Sequence, residues 1–306
     1  MLTIYYKDEY DESFHIIDEP TDGCWIHVDA ATTSDMVKLA KYLNCEYTDI
    51  HDCLDKYEIP RIERIDEHVL IFTRHPSNQE VGLQTSTLTL ILSSRYFVTV
   101  CPHKSTLIER FIAQQPKILT SKVSKLLIHI LLRITQEFTI EIKKIRTSVL
   151  QKEKEMDEVE SEDITGLTIS EENLNQYLSS LVPLRNVYQS IATGRYTFLQ
   201  EKDQDLLEDL LNASIQSEEL CSVNLRTIRS LRDSYQIIFT NQMNKTIKVL
   251  TALTIILNIP TMVASLYGMN VVLPFGSKPF AFGLILVFIG VVSIFVFMLF
   301  QRRKWL

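Results

Sequence analysis

The C-terminal part of the chain contains two long segments without a charged side chain, and these constrain the fold more than any other feature. No charged residue lies between Lys248 and Lys278, and none lies between Lys278 and Arg302. A helix that crosses the apolar core of a bilayer needs roughly 20 predominantly apolar residues. The sequence therefore predicts a membrane protein with two transmembrane helices, at 247–266 and 280–300.

Charge is distributed unevenly along the 306 residues. All 38 Asp and Glu residues lie within 1–233, where 25 Lys and Arg residues leave a net charge of −13. Residues 234–306 contain six bases and no acid. The basic tail 301–306 predicts, by the positive-inside rule, a cytosolic C-terminus, and two spans then make both termini cytosolic. Such an acidic soluble part disfavours nucleic acid as a partner.

The N-terminal residues 1–116 are predicted to form a cytosolic α/β domain. Short β-rich runs alternate there with helical patterns. Helices are predicted over 34–43 and 48–57, with Ser34 and Thr48 as their N-caps. The predicted strands are 2–6, 24–28, 69–74, 85–92 and 96–100.

Residues 117–202 are predicted to form a helical hairpin. Apolar residues between Val123 and Val149 recur every three or four positions, which is typical of a helix with one buried face. The second helix is predicted over about 171–200. The link 153–163 carries seven acids and one base. Such a run is typical of a solvated helix end, and the alternative is a loop that concentrates cations near the membrane.

One continuous helix is predicted from about residue 203 to residue 266, because no strong helix breaker precedes Pro260. At about 1.5 Å per residue such a helix is roughly 95 Å long, far more than the ~30 Å core of a bilayer. Its first part, 203–246, is therefore predicted to form a cytosolic stalk.

The polar residues of the first apolar segment are confined to one face of that helix. They follow one another at steps of seven, three and four, with Ile247 in the one missing place. A polar face in a membrane must contact protein or water, and helix–helix packing is the alternative to a pore. Six such residues over five turns favour a pore, which requires several copies around an axis. The predicted pore-lining residues are Asn244, Thr251, Thr254, Asn258, Thr261 and Ser265.

The orientation of this helix predicts that a cation is attracted to its outer end. Exposed carbonyls at a helix C-terminus carry the negative end of the helix dipole. The lining offers hydroxyl and amide groups and no carboxylate. These groups suit a hard cation that keeps its water shell, and Mg²⁺ dehydrates reluctantly.

The tripeptide Gly268-Met269-Asn270 stands directly after the first predicted span, and there the chain resembles the CorA-type divalent-cation transporters. The resemblance covers essentially the whole chain. It implies an α+β membrane protein with an N-terminal cytosolic α/β domain, a long helical stalk and two C-terminal transmembrane helices. It also implies a funnel-shaped homopentamer in the plasma or inner membrane. The other similar stretches are 25–29, 59–63, 96–100 and 241–251.

The resemblance also implies an activity and a set of residues. The expected activity is channel-like passage of Mg²⁺, with Co²⁺ or Ni²⁺ as further ions, and no enzymatic reaction. Gly268, Met269 and Asn270, in the outer loop 267–279, would bind the hydrated ion. Ile247 and Leu250 would form an apolar gate above the ring of Asn244.

Regulation by cytosolic Mg²⁺ is a further implication of the resemblance. Asp209, flanked by Asp205 and Glu208, is the nearest candidate for the stalk carboxylate, and a shift of one turn would place Asn212 there. The net charge of −13 on 1–233 suggests how this works. Bound Mg²⁺ would neutralise repulsion between subunits and keep the gate narrow.

Two alternatives share this architecture. One is a transporter for Zn²⁺ or another divalent cation, with proton coupling as an option, although the zinc branch tends to carry Ile where Met269 stands. The other is a non-conducting membrane sensor. A helix that only anchors a sensor has no need of the polar residues that line one face from Asn244 to Ser265, which we call the polar stripe. The outer loop has Lys278 where many relatives carry an acid, which weakens cation capture. An enzyme is disfavoured because no phosphate-binding loop and no G-x-S-x-G motif is present.

Overall fold

The computed structural model describes residues 1–80, 82–155, 159–196, 203–271, 280–303 and 305. The chain divides into two compact units, one formed by Met1–Asp157 and Thr165–Leu231, the other by Glu158–Ile164 and Arg232–Leu306. The division at Leu231 falls two residues before Asp233, the last acidic residue of the chain. The change in charge therefore nearly coincides with the change of unit.

The first unit contains a seven-stranded mixed sheet with the order β2-β1-β3-β7-β6-β5-β4 among the described residues. Neighbouring strands are antiparallel, except that β3 and β7 run parallel at the centre. Both central strands are buried along their whole length, as parallel strands usually are. The strands are β1 Leu2–Tyr6, β2 His15–Ile17, β3 Trp25–Val28, β4 Arg61–Ile65, β5 His68–Glu80, β6 Leu83–Leu92 and β7 Phe97–Val100.

Helices cover both faces of this sheet. Helix α1, Thr33–Leu43, buries Met36 and Leu39 in a cluster with strand residues such as Ile26 and Val98. On the other face, the ring of Trp25 packs against that of Phe111, with the ring centroids 6.0 Å apart. Phe111 belongs to helix α3, Thr106–Ala113. The sheet is thus the middle layer of an α/β domain, as predicted.

Three helices complete the first unit. They are α4 Val123–Glu155, α5 Ser161–Ala192 from Thr165 onward, and the first part of α6 Gln204–Tyr267. The hydroxyls of Thr139 and Ser217 join α4 to α6 at 2.6 Å, and those of Thr135 and Tyr188 join α4 to α5 at 3.1 Å. Ion pairs Arg185–Glu218 at 3.2 Å and Arg229–Glu171 at 2.9 Å join α5 to α6.

The second unit contains the remainder of α6 and helix α7, Ala281–Arg302. Among the described residues, the helices long and apolar enough to cross a membrane are Gln204–Tyr267 and Phe282–Arg302. The predicted long helix and the two C-terminal apolar helices are therefore present.

The structure corrects the predicted helix starts in the α/β domain. Thr32, and not Ser34, is the N-cap of α1, because Thr32 and Asp35 form a reciprocal capping box. The helix predicted over 48–57 is only one α-turn, α2 Tyr47–Ile50, followed by a 3₁₀ turn, His51–Leu54. It ends there because the Asp55 carboxylate accepts the N–H of Tyr57 at 2.8 Å and closes a turn.

The hairpin prediction was wrong about its second helix. Helix α5 begins at Ser161, ten residues before the predicted start at 171, and the N–H of Glu160 is bonded to the Asp163 carboxylate at 2.9 Å. It ends at Ala192 because Gly194 adopts a φ of 70°, a left-handed conformation that favours glycine and stops a helix. Residues 197–200 of the predicted helix lie outside the described residues.

Candidate functional site

The predicted pore-lining residues lie on α6 within the second unit, and all six side chains are exposed in the single chain. The shielded residues of the same helix segment lie on another face. Ala252 is fully buried, and Ile256, Ile259 and Val263 follow it at steps of four, three and four and are partly buried. At 100° per residue, the centres of the two faces are about 140° apart. The fold of one chain therefore covers one side of α6 and leaves the polar side uncovered.

Helix α7 has one shielded face as well. Ile285, Ile289, Val292 and Val296 are partly buried at steps of four, three and four, while most of the remaining described side chains are exposed. Ser293, the one polar side chain of the predicted span 280–300, lies beside them, and its hydroxyl is buried without a hydrogen-bond partner among the described residues. The exposed side of α7 is almost entirely Leu, Val, Ile and Phe, which suits contact with lipid.

Two hydroxyls of the polar stripe are oriented by the helix backbone. Thr254 donates to the Leu250 carbonyl at 2.8 Å, and Thr261 donates to the Leu257 carbonyl at 3.0 Å. Because the hydroxyl proton is used within the helix, the oxygen presents its remaining lone pairs away from it. The stripe therefore offers hydrogen-bond acceptors, which suit the outward-pointing protons of a water shell.

The Gly-Met-Asn tripeptide ends α6. The N–H of Gly268 donates to the Ala264 carbonyl at 2.9 Å, and the N–H of Met269 donates to the Leu266 carbonyl at 3.3 Å. A Cβ on Gly268 would lie 3.3 Å from the Ala264 carbonyl oxygen, so glycine permits this close approach. Among the described residues the Asn270 side chain has no hydrogen-bond partner, and the residue is exposed.

The residues assigned to the gate lie one turn apart and project from the chain. Ile247 is 52% exposed and Leu250 is 63% exposed, which is unusual for large aliphatic side chains unless another molecule covers them. They lie at the inner end of the polar stripe, between Asn244 and Thr251. An apolar ring here would need copies of this helix from other chains.

The candidate regulatory residue lies in the first unit. Asp209 is exposed on α6, as are Asp205, Glu208 and Asn212. The described residues contain no group of three or more His, Cys, Asp or Glu side chains placed to hold a metal ion.

Parts of three predicted segments fall outside the described residues. They are 272–279 of the outer loop with Lys278, residues 156–158 of the acidic link, and Lys304 and Leu306 of the basic tail.

The shielded face of α6 was not predicted from the sequence. Its signal was present, because the small residue Ala252 begins a run of apolar residues at helical spacing opposite the polar stripe. In a segment that is apolar on almost every side, an apolar run does not differ from its surroundings, so only the polar stripe could be recognised in the sequence.

Comparison with known proteins agrees with this architecture. A protein of Methanocaldococcus jannaschii named "Cobalt/magnesium transport protein CorA" is 24% identical over 292 residues, which cover 92% of this chain and 91% of the relative. A protein of the same name from Thermotoga maritima is 21% identical over 293 residues and is covered to 83%.

The complete structure of the Methanocaldococcus jannaschii CorA magnesium transporter superposes with a TM-score of 0.78. The match covers 100% of this chain and 99% of that one at 23% identity, so it supports the fold. The family model described as "CorA-like Mg2+ transporter protein" matches residues 21–303, almost the whole length. The chain therefore belongs to the CorA-like Mg²⁺ transporter family.

Proposed function

We propose that the chain conducts Mg²⁺ across the cell membrane as a homopentamer whose pore is lined by α6, with both termini in the cytosol. The observation that carries this proposal is the uncovered polar stripe from Asn244 to Ser265, which lies opposite the face of α6 that is shielded within the chain. A polar face is costly against lipid, and copies arranged about an axis would enclose it around water. Helix α7 would form the outer, lipid-facing ring.

The ion would enter at the Gly-Met-Asn end of the pore. There the C-terminal carbonyls of α6 and the Asn270 side chain provide oxygen atoms without a formal negative charge. Oxygens of this kind bind Mg²⁺ through its waters, since removing those waters is costly. Thr254 and Thr261 then accept hydrogen bonds from the water shell along the pore. Co²⁺ and Ni²⁺ are proposed as further transported ions.

The gate is proposed at Ile247 and Leu250. A narrow ring of aliphatic side chains expels water, and a hydrated cation cannot cross a dry constriction. Cytosolic Mg²⁺ bound near Asp209 would hold the acidic parts of neighbouring subunits together and keep this ring narrow. Loss of the ion would let the net charge of −13 per chain on residues 1–233 push the subunits apart.

Asn270→Ala tests the entry site. The variant removes the amide oxygen proposed to hold the hydrated ion, so Mg²⁺ uptake into liposomes that contain a Mg²⁺-sensitive dye should be abolished. Val271→Ala, at the neighbouring exposed residue without an oxygen ligand in its side chain, is the matched control and should keep full uptake. Native mass measurements should show five copies for both variants, and normal uptake by Asn270→Ala would refute the assignment.

The choice of ion is tested in the same liposomes. Uptake of Mg²⁺, Co²⁺, Ni²⁺ and Zn²⁺ is measured in parallel, with and without a pH gradient. We expect Mg²⁺ uptake that does not depend on the pH gradient. Selective Zn²⁺ uptake that follows the gradient would instead support the proton-coupled zinc transporter.

A further inference from the structure

A group of exposed bases lies where the two apolar helices meet the predicted cytosolic surface. Lys245 and Lys248 directly precede the uncharged stretch of α6, and Arg302 and Arg303 end α7. We call these four residues the basic cluster. Because α6 leads out of the membrane and α7 returns, the four charges stand at the same membrane surface.

The basic cluster is not neutralised by the chain. Among the described residues none of its four side chains forms an ion pair or a hydrogen bond. The preceding acid along the chain is Asp233, which pairs with Arg232 at 3.0 Å. Asp233 and Lys245 are separated along the helix by about 18 Å, roughly two Debye lengths at physiological salt. The cluster therefore offers positive charge to something outside the chain.

The two lysines lie outside the polar stripe. Lys245 stands seven residues before Ala252 and is about 150° around the helix from the centre of the stripe. Lys248 lies between the two faces of α6, about 90° from the centre of the stripe. The basic cluster therefore does not line the ion path and faces the perimeter, where lipid surrounds the protein.

The position of Trp305 fixes the depth of this cluster. The indole ring stacks on the ring of Phe300 with their centroids 5.3 Å apart and an interplanar angle of 11°. The backbone N–H of Trp305 donates to the Phe300 carbonyl at 3.0 Å. The indole is thus held against the last turn of the span, and tryptophan favours the headgroup level of a bilayer. The adjacent Arg302 and Arg303 then lie at the depth of the lipid phosphates.

We propose that the basic cluster and Trp305 bind the phosphate headgroups of anionic phospholipids in the cytosolic leaflet. Guanidinium groups bind phosphate oxygens in pairs, and lysine ammonium groups add charge at the same depth. The long side chains reach the phosphates while their stems stay along the apolar helices. This inference rests on the membrane orientation given under the proposed function, and it is independent of which ion is conducted.

The test uses the full chain in vesicles of phosphatidylcholine and phosphatidylglycerol. Two samples have identical lipid composition, with bromine on the acyl chains of either the anionic or the neutral lipid. Bromine quenches tryptophan only at close range, and Trp305→Phe isolates the signal of Trp305 from that of the buried Trp25. We expect the brominated anionic lipid to quench Trp305 about twofold or more strongly than the brominated neutral lipid, and added salt to reduce this preference.

A variant that replaces all four bases of the cluster with glutamine should lose the preference. Its quenching by the neutral brominated lipid should remain, because that signal reports insertion. A matched control removes four exposed bases of the first unit and should keep the preference. The cluster variant is K245Q/K248Q/R302Q/R303Q, and the control is K38Q/K41Q/K143Q/R146Q.

Each outcome separates the lipid site from the channel. Equal quenching by the two lipids in the unaltered chain, or a preference that survives in the cluster variant, would overturn the lipid site and leave Mg²⁺ uptake unaffected. Absence of quenching by either lipid would overturn the membrane orientation, and the proposed function with it.

Discussion

His27 and His75 are held in their neutral form inside the first unit. The Nδ1 atom of His27 lies 2.8 Å from the Thr99 hydroxyl, which also accepts the indole N–H of Trp25 at 2.9 Å. Burial lowers the pKa of His27 to about 4, although the Asp29 carboxylate opposes this. Burial also lowers the pKa of His75 to about 4. Both side chains are therefore uncharged at neutral pH.

This burial predicts that acid destabilises the first unit. In the unfolded chain a histidine binds a proton below pH ~6.5, whereas in the fold both histidines bind one only near pH 4. Stability is therefore retained above pH ~6.5 and falls as the pH drops toward 4, by roughly 3 kcal/mol for each histidine. Denaturant titrations of the full chain at several pH values across this range measure how steeply the free energy of unfolding changes with pH.

His27→Gln should make the free energy of unfolding less dependent on pH, even if the variant is less stable at pH 7. His51→Gln, which replaces an exposed histidine, is the matched control. Parallel slopes for His27→Gln and the unaltered chain would contradict the assignment.

At the proposed gate, single aliphatic side chains would decide whether the pore is dry. Ile247→Ala and Leu250→Gly shorten exposed side chains at the inner end of the polar stripe. We expect both to raise basal Mg²⁺ flux severalfold, because a wider ring admits water. Val249→Ala alters a residue about 200° around the helix from Ile247 and should leave flux unchanged. Unaltered flux in both gate variants would place the constriction elsewhere.

At the scale of elements, α1 shows how a cap sets a helix boundary. The Thr32 hydroxyl accepts the N–H of Asp35 at 3.3 Å, and the Asp35 carboxylate accepts the N–H of Thr32 at 3.2 Å. Two N–H groups at the helix start are thereby satisfied. Ser34, which lies within the first turn, satisfies neither of them.

Thr32→Ala should lower the free energy of unfolding by about 1 kcal/mol, the usual cost of losing an N-cap. Ser34→Ala leaves the capping box in place and should cost less than about 0.5 kcal/mol. Thermal or denaturant midpoints of the two variants, measured side by side, decide between the two caps. A larger loss for Ser34→Ala would restore Ser34 as the cap.

Buried strands and long helices were predictable from the sequence, whereas the exposed edge strands were not. The strands β3 and β7 are short runs of β-branched and aromatic residues buried at every position, and helices α4 and α6 repeat apolar residues over many turns. Strand β2 has three residues and is largely exposed, and β4 reads Arg-Ile-Glu-Arg-Ile at the opposite edge. Their positions depend on pairing with β1 and β5, which a local pattern does not contain.

The candidate site shows the same limit. The polar stripe was visible because Asn and Thr contrast with an apolar span, and the structure leaves those residues uncovered. The carbonyl bonds of Thr254 and Thr261 could not be read from the sequence, because a threonine hydroxyl has more than one available rotamer in a helix. The assignments of Gly268, Asn270 and Asp209 to ion binding stay predictions.

At the scale of the whole molecule, the proposed Mg²⁺ feedback couples charge to assembly. Each chain carries a net −13 on residues 1–233, and close packing of several copies multiplies the repulsion. Asp209 is exposed, and among the described residues no three His, Cys, Asp or Glu side chains are placed to hold a metal ion. A divalent ion shared between chains would offset that repulsion.

Removal of Mg²⁺ on the cytosolic side should therefore raise both protease sensitivity and conductance of the assembled protein. Limited proteolysis and flux are measured in parallel as Mg²⁺ is chelated and then restored. Asp209→Asn should shift protection to higher Mg²⁺, whereas Glu219→Gln, at another exposed position of α6, should not. If neither protease sensitivity nor conductance changes with the Mg²⁺ concentration, the feedback is excluded.

The uncovered polar stripe also has a consequence for expression of the protein in a cell. A chain without partners exposes six polar side chains to lipid, so it is an orphan subunit at risk of degradation. By mass action, the amount of complete assembly would then rise more steeply than the amount of chain. A modest fall in gene dosage would therefore lower transport by a larger fraction than it lowers the amount of chain. A chain defective at Asn270 would act dominantly, because it would inactivate assemblies that also contain normal chains.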